Sequence, residues 1–442
     1  MHSPLRLLSL ALFVATFNGV AETVKDREGA VRKDRTTMEV DARWIYNDFE
    51  RGFAEAKRTG KPLLVVLRCV PCLACAGIDA QVLLQETELT PLLDQFVGVR
   101  LINANTLDLA RFQFDYDLSF STLFFNGDGT VYGRYGSWKH QRDTQDATTA
   151  GYKAALEGAL AIHRGYPANK AALAGKQGGP TPFKMPVEIP VLAGRYPREL
   201  DWQGKVVQSC VHCHQIGDAF RTAVREKGER MPLDLIYPQP SPETIGLTLA
   251  PDQAARIESV AVGSVSAAAG LLPGDDLLSL ADQALISSAD FSWVLHRAPE
   301  SGKLAAVVVR SGVKKALAIN LLEGWRTRTD ISKRVGVWPM RGMATGGMVL
   351  EELPDEDRTQ RGIEKDKLAL YVKGVGKFGK HAAAKNAGVN AEDVLVEIAG
   401  VSNRMTEGEL IGHLLTRHQA GEVVSATVLR GQKRVEIKLP MQ

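Results

Sequence analysis

The chain contains only five cysteines, and none follows Cys213, so a disulfide framework cannot hold the C-terminal half together. No charge of one sign prevails. Against 54 basic side chains stand 51 acidic ones, a net charge of +3, which excludes the strongly basic field expected of a nucleic-acid binder. Beyond Phe17 no apolar run is long enough to cross a bilayer, which takes roughly 20 residues. Nor is there a Gly-x-Ser-Gly-Gly-like nucleophile segment, which argues against serine-protease chemistry. Hydrophobic residues at 45% and charged ones at 24% are ordinary globular values.

With about 100–200 residues per domain, a chain of 442 residues implies two to four domains. Residues 1–21 carry Arg6, an apolar run from Leu7 to Phe17 and the small-x-small site Gly19-Val20-Ala21, the pattern of a signal peptide cut before Glu22. The expected location is extracytoplasmic, such as a bacterial periplasm, where disulfides and covalently attached haem are both chemically admissible. Residues 22–37 are charged and aperiodic, and read as a flexible arm.

Residues 38–165 form the first expected domain. The apolar positions Trp44, Phe49, Phe53 and Ala56 suggest a helix ended by Gly60 and Pro62, followed by a buried strand at Leu63–Leu67. That strand runs into Cys69-Val70-Pro71-Cys72, at a strand-to-helix junction where free backbone N–H groups favour thiolate over thiol. Cys75 falls on the same helical face. A dithiol, a structural disulfide, a competing Cys72–Cys75 bond and a metal site on Cys69, Cys72 and Cys75 are all compatible with this spacing. Strand Val97–Ile102, the hairpin Ser121–Phe125 and Thr130–Gly133 around Asn126-Gly127-Asp128-Gly129, and a helix at residues 147–162 complete an order that resembles the thioredoxin-like family. The resemblance implies that Cys69 attacks and Cys72 resolves in thiol–disulfide exchange. Phe120-Ser121-Thr122 stands where that family usually places a cis-proline facing the cysteines.

Residues 166–243 begin as a Pro/Gly-rich linker or wrapped loop and lead into Cys210-Val211-His212-Cys213-His214. This motif resembles the attachment site of the cytochrome c family. By that resemblance haem c is the expected cofactor, with thioethers at Cys210 and Cys213 and His214 as an axial iron ligand. Met231, followed by Pro232, is the first candidate for the opposite axial position, ahead of His140 and His163. The same residues also allow a Cys210–Cys213 disulfide, or a metal site using His212 or His214.

The remainder repeats. Ala269–Leu278 aligns with Ala387–Val396, and the helix starts Ser287–Asp290 and Thr406–Glu409 share a capping pattern. Residues 244–325 and 326–442 are therefore expected to be two copies of one domain type. The first copy resembles a PDZ domain, which implies that Gly246, Leu247, Thr248 and Leu249 hold the C-terminus of a partner peptide. Gly347–Leu350 would play that part in the second copy, where the charged insertion Pro354–Lys367 reads as a solvated loop.

The combined expectation is a multidomain chain, an α/β thioredoxin-like domain followed by two mostly-β PDZ-like domains, with no permanent membrane span. It would act as an exported redox protein that exchanges disulfides or passes electrons from haem to a partner, while its modules bind protein C-termini. The alternative is a non-enzymatic scaffold whose cysteines form disulfides or bind metal.

Overall fold

A computed structural model describes residues 26–70, 86–118, 120–136 and 149–442. Cys72, Cys75 and His140 lie outside them.

The N-terminal half is built on a sheet with strand order β1-β3-β2-β4-β5, formed by Trp44–Tyr46, Leu63–Arg68, Val97–Leu101, Phe120–Phe125 and Val131–Tyr135, numbered β1 to β5 along the chain. β2 runs parallel to β3 and antiparallel to β4. Side chains alternate between the faces of a strand, and here both faces are covered. Leu63, Val65 and Leu67 enter one core with Phe53, Val99 and Phe125; Leu64 and Val66 enter the other with Phe124, Tyr132 and Tyr152. That double coverage explains the unbroken apolar run in β2.

Helices flank the sheet: α1 (Arg27–Met38), α2 (Phe49–Thr59), α3 (Glu86–Leu93) and α4 (Thr149–Arg164). α2 is capped by the Asp48 side chain and ends at Gly60 with φ 71°, a left-handed conformation that glycine adopts without steric cost. It presses closely on β3, since a Cβ added at Gly52 would collide with Val99.

Several sequence expectations are corrected. The arm 22–37 contains α1, because Asp26 caps it, the Glu28 carboxylate accepts from the Val206 and Val207 N–H groups, and Asp34 pairs with buried Arg100. Trp44 starts a strand rather than a helix, with Trp44–Tyr46 pairing to Gly98–Arg100. Of the two forms expected for the Pro/Gly-rich stretch of 166–243, the wrapped loop holds, since Ile189, Leu192 and Val211 join the same core as Phe53 and Val99. It ends in α5 (Cys213–Glu226), which packs Cys213, Ile216, Ala219 and Ala223 into that core.

The two repeats follow. The first has a small sheet of β6 (Leu247–Leu249) and β7 (Ile257–Val260). A second sheet in the order β11-β10-β8-β9 is formed by Asp276–Leu280, Gln283–Ala284, Gly302–Arg310 and Val313–Leu321, numbered β8 to β11 along the chain. Helix α6 (Ser288–Arg297) covers it, capped by Ser287. The second repeat is entered through α7 (Val337–Thr345) and forms one sheet, β12 to β16 in sequential order: Met348–Glu352, Leu370–Val375, Val394–Ile398, Val423–Arg430 and Lys433–Pro440. Helix α8 (Glu407–Arg417) packs against it, started by the Thr406–Glu409 capping box.

One clasp is duplicated atom for atom. Arg310 donates to both carboxylate oxygens of Asp275, each at 2.7 Å, and to the Gly270 carbonyl at 2.8 Å. Arg430 donates to Asp393 at 2.9 and 2.8 Å and to the Gly388 carbonyl at 2.7 Å. The charged insertion of the second repeat is mostly exposed, as expected, but it is not all loop. It forms a helix, Asp355–Gln360, whose wholly buried Arg358 donates to the carbonyls of Leu353, Lys367 and Ala369.

The parts interlock. α6 lies between the first repeat and the N-terminal sheet: its Asp290 accepts from the Arg134 backbone N–H on edge strand β5 at 3.0 Å and pairs with buried Lys176 at 2.7 Å. Burial explains the apolar run Trp293-Val294-Leu295 in α6. Among the described residues, no helix is long and apolar enough to cross a membrane.

Candidate functional site

β2 delivers Cys69 to the end of the central strand, one residue beyond Arg68. Facing it is the second cysteine motif. The Cys69 Sγ lies 3.1 Å from His212 Nδ1, and Cys69, Cys210, His212 and Cys213 line one cavity of about 20 Å³ walled by Val31, Val70, Ile102 and Val206. Two motifs that are far apart in sequence thus form one site.

Asn105 fixes this approach. Its wholly buried amide donates to the carbonyls of Pro197 at 2.6 Å and Ser209 at 2.7 Å, and its oxygen accepts from the Val211 N–H at 2.7 Å, so the backbone on both sides of Cys210 is held by one side chain. The Gln215 side chain accepts from the His212 N–H at 2.8 Å, setting the start of α5 and placing Cys213 as its first residue. The His212 ring stacks on His214, with centroids 5.8 Å apart and planes 9° from parallel.

Burial, followed by the charge of His214, pulls the His212 imidazole down to about 4, so it is neutral at pH 7. In its Nε2–H tautomer, Nδ1 can accept the Cys69 thiol proton. Burial pushes the Cys210 and Cys213 thiols up to about 11 and about 12. At pH 8 these two cysteines are therefore expected to alkylate with iodoacetamide about 100-fold or more slowly than a free thiol of ordinary pKa. Peptide mass spectrometry over a time course measures this directly; labelling of native Cys210 and Cys213 at the free-thiol rate would contradict the buried placement.

Haem c does not fit the motif as packed. Both thiols face a space of about 20 Å³, far below the roughly 300–1,000 Å³ of cofactor-sized sites. Met231 cannot serve as an axial ligand either. It is buried in the core of the second repeat, its N–H donating to the Leu415 carbonyl, and α5 carries the chain about 20 Å away from Cys213, at 1.5 Å per residue, before Met231 is reached. His163 is engaged elsewhere, its two ring nitrogens each 3.0 Å from Tyr132 Oη and the Gly60 carbonyl. His214 is half-buried beside the Asp117 carboxylate, whose pKa its charge helps lower. Among the described residues, no three His, Cys, Asp or Glu side chains are grouped to hold a metal ion.

Neither Asn105 nor the pairing of His212 with Cys69 was legible in the sequence, because their partners lie 92 to 143 residues away. In the first repeat, Gly246 adopts φ 84° and, among the described residues, Leu247, Thr248 and Leu249 pair only with β7. The opposite edge of β6 looks toward α6 across a cavity of about 520 Å³, lined by Thr248, Leu249, Ser288 and Ser292 and, from the N-terminal domain, Arg134 and Tyr135. In the second repeat the corresponding edge is occupied: the Leu350 N–H donates to the Glu407 carboxylate at 2.9 Å.

A family model described as thioredoxin-like matches residues 44–127, which form a thioredoxin-like domain. No curated protein sequence matches the chain. Among solved structures, the chain is similar to a singly substituted form of the HtrA-type protease AlgW with a decapeptide, at 18% identity over 31% of this chain and 40% of that one, with a TM-score of 0.20. It is likewise similar to HtrA-type protease AlgW with a tripeptide, at 17% identity over 30% and 41%, with a TM-score of 0.19. The chain thus spans about two fifths of the length of these proteins.

Proposed function

We propose that this protein is an exported thiol–disulfide exchange protein in which Cys69 is the attacking thiol and Cys72 its resolving partner, and whose first repeat is a PDZ-like module that brings partner proteins to that thiol. The observation that carries the reading is the 3.1 Å approach of Cys69 Sγ to His212 Nδ1 at the end of the central strand of the thioredoxin-like domain. A neutral imidazole at hydrogen-bond distance accepts the thiol hydrogen bond and holds the sulfur at the mouth of the site. The edge of β6 away from β7 suits strand addition by an extended peptide, with the Gly246 loop receiving its carboxylate. Because the same cavity is lined by Arg134 and Tyr135, a peptide bound there lies against the redox domain.

The test is Cys69→Ser in the full mature chain. Reduction of a small disulfide substrate is expected to fall at least 100-fold, to background, with peptide binding unchanged. An unsubstituted chain without disulfide-exchange activity overturns the redox reading in favour of a scaffold that only binds partner proteins.

A further inference from the structure

Resting on the reading of Cys69 as attacking thiol, we propose that Cys210 and Cys213 are a second, internal dithiol that can resolve it alongside Cys72, so that the second cysteine motif is a redox partner of the first. The argument is the shared cavity. Cys69, Cys210 and Cys213 all line it, its remaining walls are largely apolar, and its volume of about 20 Å³ admits little beyond a water molecule. Cys210 and Cys213 are unbridged. Cys210 and Cys213 have the Cys-x-x-Cys spacing, with the second cysteine opening a helix, an arrangement that redox dithiols use. Between them in the chain stands His212, already in contact with the Cys69 sulfur. The three Asn105 hydrogen bonds hold the segment in this position.

The exchange balances without any further reagent. A client cysteine joined to Cys69 in a mixed disulfide is released when the Cys210 or Cys213 sulfur attacks Cys69 Sγ: one S–S bond forms within the protein, the client–Cys69 bond breaks, and the client leaves as a thiol. The other motif cysteine then attacks the first, freeing Cys69 as a thiol and leaving a Cys210–Cys213 disulfide. Two electrons pass from the dithiol to the mixed disulfide. The two thiol protons end on the client sulfur and on Cys69, with His212 Nδ1 as carrier.

The experiment uses the full mature chain and a peptide carrying an activated disulfide, followed by acid quenching and mass mapping without reduction. In the unsubstituted protein, release of the peptide thiol is expected to coincide with a Cys210–Cys213 disulfide. In a Cys72→Ser background, losing the second attacker is expected to trap the internal link with the peptide thiol still released, Cys69–Cys210 in Cys213→Ser or Cys69–Cys213 in Cys210→Ser, whereas losing the first attacker is expected to slow single-turnover release about tenfold or more. Mapping of the unsubstituted chain stands independently if either variant fails to fold. Peptide release at an unchanged rate with Cys210 and Cys213 still thiols overturns the proposal while leaving the Cys69 reading intact. Absence of any mixed disulfide at Cys69 overturns both. Haem covalently attached at Cys210 and Cys213, seen as added mass in protein made with cytochrome maturation machinery, also overturns it, because a thioether sulfur cannot exchange.

Discussion

Replacing Arg334 with Met is expected to destabilise the folded chain by about 3–5 kcal/mol, the range for removing one partner from a buried ion pair. Arg334 follows the first repeat and is 4% exposed; its guanidinium pairs with Asp115 and, at 2.9 Å, with Asp117, both on the segment after β3. Arg221 of α5 adds a longer contact to Asp117 at 3.8 Å and binds Asp218 at 3.0 Å. Three parts of the chain meet in this cluster, and its burial keeps solvent from replacing the lost cation. Burial already pushes the Asp115 carboxyl up, despite the opposing pull of Arg334. Removing the guanidinium raises it further. A carboxyl whose folded pKa lies above its unfolded value binds more protons folded than unfolded, so its contribution to stability grows as pH falls through the folded value. The variant should therefore recover part of its loss on acidification from pH 7 toward pH 4, relative to the unsubstituted chain. Denaturant titration at several pH values measures both quantities; a loss under about 1 kcal/mol, the scale of an exposed pair, would show that the cluster does not join the domains.

The sequence carried the fold wherever one element decides its own shape. The unbroken run Leu63–Leu67 could only be a strand covered on both faces, and Asn126-Gly127-Asp128-Gly129 could only be a turn. The repeat was legible because Asp275 and Asp393 begin the same clasp, although their arginine partners are named only by the structure. Elements stabilised from a distance were not legible. Residues 22–37 have no apolar periodicity, and α1 exists because Glu28 and Asp34 find partners at Val206 and Arg100. Arg358 in the charged insertion looks solvated in sequence and is wholly buried, because three carbonyls of its own repeat converge on it.

The candidate site was legible in its residue types and not in its assembly. Cys69 and the Cys210–His214 motif each stand out by spacing, yet spacing cannot report that they share one cavity. A Cys-x-x-Cys-His string is chemically the same for haem attachment and for thiol exchange. What separates the two is the room around the sulfurs, a property of Asn105, Val206 and Ile102 rather than of the motif. The same holds for Met231, whose neighbour Pro232 suggests a ligand segment while its side chain is committed to the core of the second repeat.

Replacing Glu407 with Ala is expected to cost about 3 kcal/mol, at the lower end for a broken buried pair because Arg341 keeps some exposure and a long contact with the Ser332 carbonyl. The Glu407 carboxylate is 4% exposed, accepts twice from Arg341 at 2.8 and 2.6 Å, and accepts the Leu350 N–H. Its position has a consequence for binding. Leu350 lies in β12, the outer strand of its sheet, and its N–H faces the ground where an added peptide strand would pair; Glu407 supplies that hydrogen bond from within. On the opposite side of α8, Tyr237 Oη donates to the Gly408 carbonyl at 2.7 Å, fastening the helix to the segment after α5. If peptides bind by strand addition as proposed, the Glu407 carboxylate stands in their way at β12, and the edge of β6 is the expected site. Titration with a peptide bearing a free C-terminus should give one site per chain. Amidating that C-terminus should weaken binding about tenfold or more, because hydrogen bonds to a charged group contribute roughly 1.5–3 kcal/mol. Two equivalent sites in the unsubstituted chain would show that the Glu407 carboxylate does not close the second edge.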